Sequence, residues 1–384
     1  YLNGMPPRIA AWRPNLGCTA LPIGADPAMV ANLPTVELPP PERNPANVPW
    51  PDGDQLIAEG AVPHLDVDAL NDTVAAAFDA RSYGEGTATT AVVILRNGEI
   101  VAERYREDFD RYTSQRTWSV AKSLSATLIG IAVGQGLLEL DAPAPVPEWQ
   151  RPGDPRRAIT LANLLHMSSG LYSGIAGNRT DFIYFGGGPV TEHATRHPLE
   201  VPPGSRGKYA NNDTMLALRA LRAALNDDQR YLAFPFSELL HKIGMYHTYP
   251  ETDWQGNFVG SSQVWTTARD LARLGLLYLQ RGRWNGEQIF PAWWADYVAT
   301  PAPSQIPARS DRPQRGYGAQ FWLYHRIEAL PDDTHAMLGN RGQIVMLVPS
   351  RNVVIVRRGF DPSGTGVRFD EITFGADVLA AFTD

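Results

Sequence analysis

Residues 90–106 read TAVVILRNGEIVAERYR and predict two antiparallel strands joined by a tight turn. Asn97-Gly98 is a two-residue signal for a type I′ hairpin, because both residues tolerate the positive φ that this turn needs. The run Ala91 to Leu95 is continuously apolar, whereas a strand with one wet face alternates. We therefore expect residues 90–96 to be covered on both faces and residues 99–106 to pair with them.

Strand signals return only near the other end of the chain. They occur over residues 317–324, 344–348 and 353–357, ahead of an amphipathic helix that passes through Val378 and Leu379. From residue 119 to about 301 the pattern is mainly helical, and a further helix is expected over about 66–81. These patterns predict an α/β fold, in which an antiparallel sheet built from both chain ends is flanked by helices and carries an inserted, mainly helical region.

The same patterns divide the chain into three parts. Residues 1–62 are rich in proline and are expected to form an extended arm. Residues 63–118 together with 302–384 are expected to form the sheet domain, and residues 119–301 the helical domain. The active site is expected at the interface of these two domains.

Composition excludes several functional classes. Of 384 residues, 43% are hydrophobic and 20% charged, which is typical of a folded globular protein. The net charge of −7 disfavours nucleic acid or acidic lipid as partners. No apolar run of about 18 residues is present, so no membrane span is expected.

Two further features concern processing and compartment. Cys18 is the single cysteine, so no internal disulfide forms, and the polar residues before it, including Asn15, disfavour a lipid anchor. The sequence begins with Tyr1 rather than Met, which suggests an upstream segment such as an export signal. This feature favours the cell envelope over the cytoplasm.

Ser119-Val120-Ala121-Lys122 falls where strand signals give way to a helix. A serine and a lysine three residues apart share one helix face, so their side chains can touch. The apolar residues around them predict a buried lysine, and burial together with the positive end of the helix dipole favours a neutral amine that can accept the serine proton. The spacing alone is a weak motif, and a solvated helix face is its structural alternative.

Tyr209-Ala210-Asn211 is the second group with chemical potential, and it follows Pro203-Gly204-Ser205. A tyrosine hydroxyl beside a lysine can pass a proton to a leaving group, while an asparagine amide can hold both the lysine and a substrate carbonyl. Taken alone, such a triplet more often serves ordinary packing.

Together these residues resemble the first two motifs of the superfamily of class C β-lactamases, carboxylesterases and D-Ala-D-Ala peptidases. Supporting segments occur in the order expected of that superfamily. They are residues 136–141, 164–171, 243–245, 266–272 and 316–318. The resemblance covers about residues 65–384 and implies a β-lactamase/transpeptidase-like fold with an acylated serine. It assigns nucleophilic attack to Ser119 and proton transfer to Lys122 and Tyr209.

The third motif departs from the β-lactamase pattern. Where those enzymes carry Lys-Thr-Gly, the best match is Asn340-Arg341-Gly342, followed by Gln343. The resemblance implies an oxyanion hole made by the backbone amides of Ser119 and Gln343. Without the lysine, activity on β-lactams or peptidoglycan would require Arg341 to bind the substrate carboxylate. The Gly-Gln ending instead resembles the 6-aminohexanoate-dimer hydrolases, which cleave linear amides and small esters.

These residues predict a serine hydrolase that acts on a small-molecule ester or amide and needs no metal or organic cofactor. A D-Ala-D-Ala peptidase or weak β-lactamase is the alternative among enzymes, and a non-catalytic binding or sensor protein is the alternative outside them. His193 and His197 have the spacing of metal ligands, but Glu192 stands before rather than between them, so we do not expect a zinc site. The sequence leaves the oligomeric state open.

Overall fold

The structure is a computed structural model of the chain. It describes residues 8–383 except 42, 57–63, 175–180, 309 and 311–313. The strands are β1 (Ala10–Arg13), β2 (Gly17–Ala20), β3 (Thr89–Arg96), β4 (Glu99–Tyr105), β5 (Gln115–Arg116), β6 (Tyr249–Pro250), β7 (Val264–Thr266), β8 (Arg283–Trp284), β9 (Glu287–Gln288), β10 (Gly316–Tyr317), β11 (Trp322–Leu323), β12 (His335–Gly339), β13 (Gln343–Val348) and β14 (Val353–Gly359).

The helices lie mainly between the two groups of long strands. They are α1 (Val67–Ala76), α2 (Val120–Gly134), α3 (Leu161–Leu165), α4 (Asp181–Phe185), α5 (Val190–His193), α6 (Asn211–Leu225), α7 (Asp228–Pro235), α8 (Ala268–Leu279), α9 (Trp293–Ala299) and α10 (Glu371–Ala380). Helix α7 continues into a π-helical turn over Phe236–Leu240.

Seven strands form one antiparallel sheet in the order β10-β11-β12-β13-β14-β3-β4. The N-terminal strand β3 lies beside the C-terminal strand β14, where Ile94 pairs with Ile355. The sheet is therefore built from both chain ends, with α2 to α9 inserted between them. This arrangement confirms the predicted fold class.

Both faces of the sheet are covered. On one face Val92 and Ile94 pack with residues of α1 and α10, including Leu70 and Phe374. On the other face Val93 and Leu95 belong to the larger core that contains α2, α6 and α8. Because successive side chains of a strand point to opposite faces, a strand covered on both sides is continuously apolar. The prediction for this strand is confirmed.

The hairpin turn also has the predicted backbone. Asn97 has φ 54° and Gly98 has φ 91°, as a type I′ turn requires. Other boundaries differ from the prediction. The first helix ends at Ala76, and the expected strand over 317–324 is two short strands, β10 and β11, separated by a bend in which Gln320 has φ 66°.

The strand β12 was not predicted. Its sequence, HAMLG, is short, and it lies between polar turns that begin near Asp332 and Asn340. Five residues with such flanks give no clear alternation, so periodicity does not detect them. Pairing supplies what the pattern lacks, because β12 is bonded to β13 along its whole length and to β11 at its first two residues.

The described part of the N-terminal arm packs against the body of the protein. It contains the β1–β2 hairpin, and its side chains Leu16, Val36 and Trp50 belong to the larger hydrophobic core. The Arg13 guanidinium donates to the hydroxyl of Thr252 at 3.0 Å, and the Trp50 indole donates to the carbonyl of Gly98 at 2.8 Å. The division of the chain into arm, sheet domain and helical domain stays a prediction.

Candidate active site

The backbone around Ser119 presents this serine at the start of α2. Strand β5 pairs with β7, and the chain then passes through Trp118, which has φ 51°, a conformation that bulky residues rarely adopt. Ser119 is the N-cap residue of α2, but its side chain makes no capping hydrogen bond. The Ser119 hydroxyl is therefore left to interact with other groups, and a strained residue at this point is a feature that clusters at functional sites.

Lys122 lies one turn into α2, and its ammonium group is fully enclosed. Its Nζ lies 3.1 Å from Ser119 Oγ, 2.7 Å from Asn211 Oδ1 and 2.8 Å from the carbonyl oxygen of Ser261. None of the ion pairs among the described residues involves Lys122. Burial, without a carboxylate to offset it, lowers the pKa of Lys122 to about 7. A substantial fraction of this amine is thus neutral near neutral pH.

Tyr209 and Asn211 approach the same lysine from the start of α6. Asn211 is the first residue of this helix and accepts a hydrogen bond from Lys122 through its side-chain oxygen. The Tyr209 ring centroid lies 4.9 Å from Lys122 Nζ, and the ring stacks on Trp322 at a centroid distance of 5.6 Å. The structure therefore brings the pair Ser119 and Lys122 together with the pair Tyr209 and Asn211, although Lys122 and Asn211 are 89 residues apart in sequence.

The turn of the third motif joins β12 to β13. Arg341 has φ 59°, and its guanidinium donates to the carbonyl oxygens of Asp361 at 3.1 Å and Phe360 at 3.2 Å. Gly342 has φ 74°, and a Cβ at this position would overlap the Arg357 guanidinium. Asn340 is exposed, and its Oδ1 accepts a hydrogen bond from the Arg341 amide at 2.9 Å.

Gln343 has a buried side chain that ties the sheet to the segment before Ser119. Its Nε2 donates to the carbonyl of Gly359 at 2.5 Å, and its Oε1 accepts from Arg358 at 2.7 Å. Arg358 in turn donates to the carbonyl of Thr266 at 2.6 Å and to that of Gln115 at 2.8 Å. These bonds link β13 and β14 to β5 and β7, and so fix the strand that leads to the serine.

Two groups at the site were not found by sequence reasoning. The first is the Ser261 carbonyl that binds Lys122. The second is the end of β12, where a Cβ on Gly339 would overlap the carbonyl oxygen of Thr117, two residues before Ser119. Both contacts use backbone atoms, which carry no side-chain signal, although the glycine itself marks a close backbone approach.

The histidines considered as metal ligands lie elsewhere. His193 packs against the ring of Phe182 at 4.6 Å and His197 against Tyr172 at 5.9 Å. Within the described residues, no three His, Cys, Asp or Glu side chains form a group that could hold a metal ion. Of the helices in the described ranges, none combines the length and apolar character needed to cross a membrane.

The fold is of the β-lactamase and transpeptidase-like class. It combines an antiparallel sheet with a helical insertion, and its helix α2 begins beside strand β12. The model of the Beta-lactamase family matches residues 74–357, and the chain belongs to this family. This result confirms the resemblance seen in the sequence.

Individual proteins resemble this chain in sequence or in fold. The 6-aminohexanoate-dimer hydrolase of Paenarthrobacter ureafaciens is 25% identical over 301 residues, which are 71% of this chain and 73% of that protein. A family VIII carboxylesterase superposes with a TM-score of 0.62 at 14% identity, covering 84% and 98% of the two chains. A class C β-lactamase mutant superposes with a TM-score of 0.61 at 15% identity, covering 84% and 99%. The protein thus has a hydrolase among its relatives by sequence, and it shares its fold with the two solved structures.

Proposed function

We propose that this protein is a serine hydrolase that cleaves a small ester or a linear amide through an acyl-enzyme on Ser119. The observation that carries the proposal is the buried Lys122 amine, 3.1 Å from Ser119 Oγ, with a pKa lowered to about 7 by burial. A neutral amine at this distance can take the serine proton as the oxygen attacks the substrate carbonyl. Water then hydrolyses the acyl-enzyme.

Tyr209 and Asn211 complete the proposed machinery. Tyr209 lies over the lysine and would pass the proton from Lys122 to the leaving group. Asn211 accepts a hydrogen bond from Lys122 through its side-chain oxygen, and would thereby hold the amine in position beside Ser119. No step requires a metal or an organic cofactor.

The oxyanion hole is proposed to use the Ser119 amide and an amide from the turn after β12. Gln343 was the candidate from sequence, but it belongs to β13, one strand further into the sheet. The close approach of Gly339 to Thr117 favours the next residue, Asn340, as the second donor. An N–H donor fixed by a sheet costs little reorganisation during the reaction.

The substrate is proposed to be a linear ester or amide rather than a β-lactam. The hydrolase of P. ureafaciens, a relative over 71% of this chain, is named for the 6-aminohexanoate dimer. The alternative, a D-Ala-D-Ala peptidase or weak β-lactamase, would need Arg341 to bind the substrate carboxylate. Arg341 instead donates to two backbone carbonyls and covers the ring of Phe360.

The test combines labelling with turnover. The wild-type protein and Ser119→Ala are incubated with a fluorophosphonate and analysed by intact mass, with the exposed Ser237→Ala as the matched control. We expect one adduct, absent only in Ser119→Ala, together with turnover of a para-nitrophenyl ester or 6-aminohexanoate dimer. Nitrocefin turnover would favour the β-lactamase alternative. A folded protein with neither adduct nor turnover would support the non-catalytic binding protein instead.

A further inference from the structure

Arg116 lies beside the proposed nucleophile in an aromatic environment. Its guanidinium carbon is 3.7 Å from the ring centroid of Trp118, the residue that precedes Ser119. The rings of Tyr184 and Phe185, in α4, lie 5.5 Å and 5.0 Å away. Three aromatic faces around one guanidinium hold it in place and remove part of its hydration.

The charge of Arg116 has no ion-pair partner among the described residues. Among the described residues, only one nitrogen of Arg116 has an acceptor: Nη2 donates to the hydroxyl of Ser262 at 2.7 Å. Nε is buried, and none of the described residues provides an acceptor for it. A half-buried guanidinium without a carboxylate is unfavourable unless another anion compensates it.

The carboxylate that acts most directly on Arg116 does not neutralise it. Burial lowers the pKa of Arg116 to about 10, although the charges of Tyr184 and Glu251 act to raise it. Burial also raises the pKa of Glu251 itself to about 7, so this carboxyl is partly neutral at neutral pH. The guanidinium therefore keeps a net positive field in a protein whose net charge is −7.

The position of Arg116 connects it to the proposed catalytic groups. Ser262, which accepts from Arg116, follows Ser261, whose carbonyl oxygen binds Lys122. The Ser261 hydroxyl in turn hydrogen-bonds the Tyr184 hydroxyl at 2.6 Å. Arg116 thus contacts the sequence neighbours of two groups at the proposed site. Ser262 adjoins Ser261, which binds Lys122, and Trp118 adjoins Ser119.

We infer that Arg116 forms an anion-binding subsite, so that the preferred substrate is an ester or amide carrying a carboxylate a few bonds from the scissile carbonyl. The subsite rests on the proposed function, since it places this carboxylate relative to Ser119. Its Nη atoms would bind the carboxylate oxygens, while Trp118 and Phe185 would cover the carbon chain between the two groups. Arg116 is in this view a specificity residue and takes no part in proton transfer.

The experiment uses two matched pairs of neutral and anionic esters. The mono-para-nitrophenyl ester of adipate and its methyl ester differ in charge on the acyl side. Para-acetoxybenzoate and its methyl ester differ in charge on the leaving-group side. For the wild-type protein we expect kcat/KM to favour the anionic member of one pair, and Arg116→Gln to reduce that preference about ten- to a hundredfold, mainly through KM.

The control is Arg104→Gln, which removes another arginine stacked on an aromatic ring, that of Phe78 at 5.0 Å, on strand β4. This control should keep the wild-type preference. Arg116→Lys should restore part of it, because a lysine keeps the charge but loses the planar fork. A second readout needs no variant: hexanoate should inhibit neutral-ester turnover by the wild-type protein more strongly than hexanamide does.

The outcomes separate the two proposals. Turnover of neutral and anionic esters at equal kcat/KM in both pairs, with hexanoate no better than hexanamide, overturns the subsite and leaves the hydrolase intact. An unchanged preference in a folded Arg116→Gln protein overturns it as well. Absence of turnover in all four esters, with no fluorophosphonate adduct, overturns the hydrolase and the subsite together.

Discussion

Lys122 makes the proposed mechanism depend on pH in one direction. The proposed base is the neutral amine of Lys122, and burial lowers the pKa of this lysine to about 7. The amine is therefore protonated and inactive below pH 7, and it is almost entirely neutral and active well above pH 7. We therefore expect kcat/KM for a neutral ester to rise with pH, with a midpoint near 7. The measurement is a kcat/KM profile from about pH 5 to 9, where this limb reports the free enzyme.

The control for this profile is Lys122→Arg. A guanidinium cannot lose its proton in this range, so turnover should fall by at least about a hundredfold at every pH. A thermal melt and circular dichroism establish that the variant is folded. A profile that is flat for the wild-type protein between pH 6 and 8, or strong turnover by folded Lys122→Arg, would exclude Lys122 as the base.

Asp213 gives a prediction about stability at the same end of α6. This carboxyl is buried, its Oδ1 accepts from the Ser169 hydroxyl at 2.9 Å, and its Oδ2 has no hydrogen-bond partner among the described residues. Burial raises the pKa of Asp213 to about 7. Because the folded pKa lies above the ordinary value of 3.8, wild-type stability falls as pH rises from about 4 to 7.

Asp213→Asn removes that penalty and keeps the acceptor for Ser169. We expect this variant to gain about 1–3 kcal/mol in unfolding free energy over wild type at pH 8, and little at pH 4. Urea unfolding at both pH values measures the difference. Asp68→Asn, an exposed acidic residue in the first turn of α1, serves as the control with no such pH dependence. An equal effect at both pH values would show that Asp213 is not a buried acid of this kind.

At the scale of residues, the contact between the side chains of Ser119 and Lys122 could be predicted from the sequence, whereas the contact of Lys122 with a backbone carbonyl could not. The Ser119-x-x-Lys122 spacing predicts contact because a helix places such residues on one face, and the two atoms are 3.1 Å apart. The Ser261 carbonyl that accepts from Lys122 comes from a loop some 139 residues away in sequence. Any residue can supply a carbonyl, so no sequence pattern marks it.

At the scale of elements, the separation of β12 from the strand before Ser119 controls the proposed oxyanion hole. Gly339 ends β12, and a side chain there would have to displace the Thr117 carbonyl. We expect Gly339→Ala to lower kcat/KM about ten- to a hundredfold, mainly through kcat, because a small shift of an oxyanion donor is costly. Steady-state kinetics on a neutral ester is the measurement.

A second glycine provides the comparison for this effect. Gly275 in α8 lies against Val354, where a Cβ would come within 2.6 Å of a methyl group, on a packing surface between α8 and the sheet. Gly275→Ala should therefore lower the melting temperature and leave the kinetic constants of the surviving protein near wild type. Equal kinetic losses in both variants would mean that general loosening, and not the position of β12, explains the effect.

The elements that the sequence predicted well are those with strong local patterns. Strand β3 is continuously apolar from Ala91 to Leu95, and its hairpin turn carries the dipeptide Asn97-Gly98, which is a strong turn signal. Strands β10 and β11 have two residues each, and β12 has five, so pairing rather than propensity defines them. The region nearest the proposed oxyanion hole is thus the part that periodicity describes least well.

At the scale of the molecule, strands from the two ends of the chain pair in one sheet, and the segment between them contains Ser119, Lys122, Tyr209 and Asn211. Strand signals at both ends with helices between them were enough to predict one sheet built from both chain ends. In the structure β3 lies beside β14 in that sheet. The packing of the arm was not predictable in the same way. A proline-rich segment shows no periodicity, and what fixes it here are contacts with distant residues, both apolar, through Leu16 and Val36, and polar.

One buried cluster holds the arm against the body. Asp54 accepts from Arg273 at 2.9 Å and lies 3.2 Å from the His247 ring nitrogen, while Arg273 also bonds Asp270 at 2.9 Å. Burial alone would raise the pKa of Asp54, but the hydrogen bond with His247 and the charge of Arg273 outweigh it and lower that pKa to about 2. The same bond raises the pKa of His247.

The signs of these shifts define the pH window of the cluster. Asp54 has a lowered pKa, so its contribution to stability is present above about pH 3.8 and is lost as pH falls toward 2. His247 has a raised pKa, so its contribution is present below its ordinary value of 6.5 and is lost as pH rises through the raised value. The cluster should therefore be strongest between about pH 4 and 6.

Asp54→Ala tests whether the arm is part of the cooperative fold. The substitution leaves the fully buried Arg273 without one of its two carboxylates, and breaking a buried pair costs about 3–5 kcal/mol. We expect a large drop in melting temperature at pH 5, a smaller one at pH 3, and no change for Asp26→Asn, an exposed acidic residue of the same arm. If Asp54→Ala melts like the wild-type protein at pH 5, the arm is an appendage that the body does not need, and its contacts with Arg273 contribute nothing to holding the proposed site together.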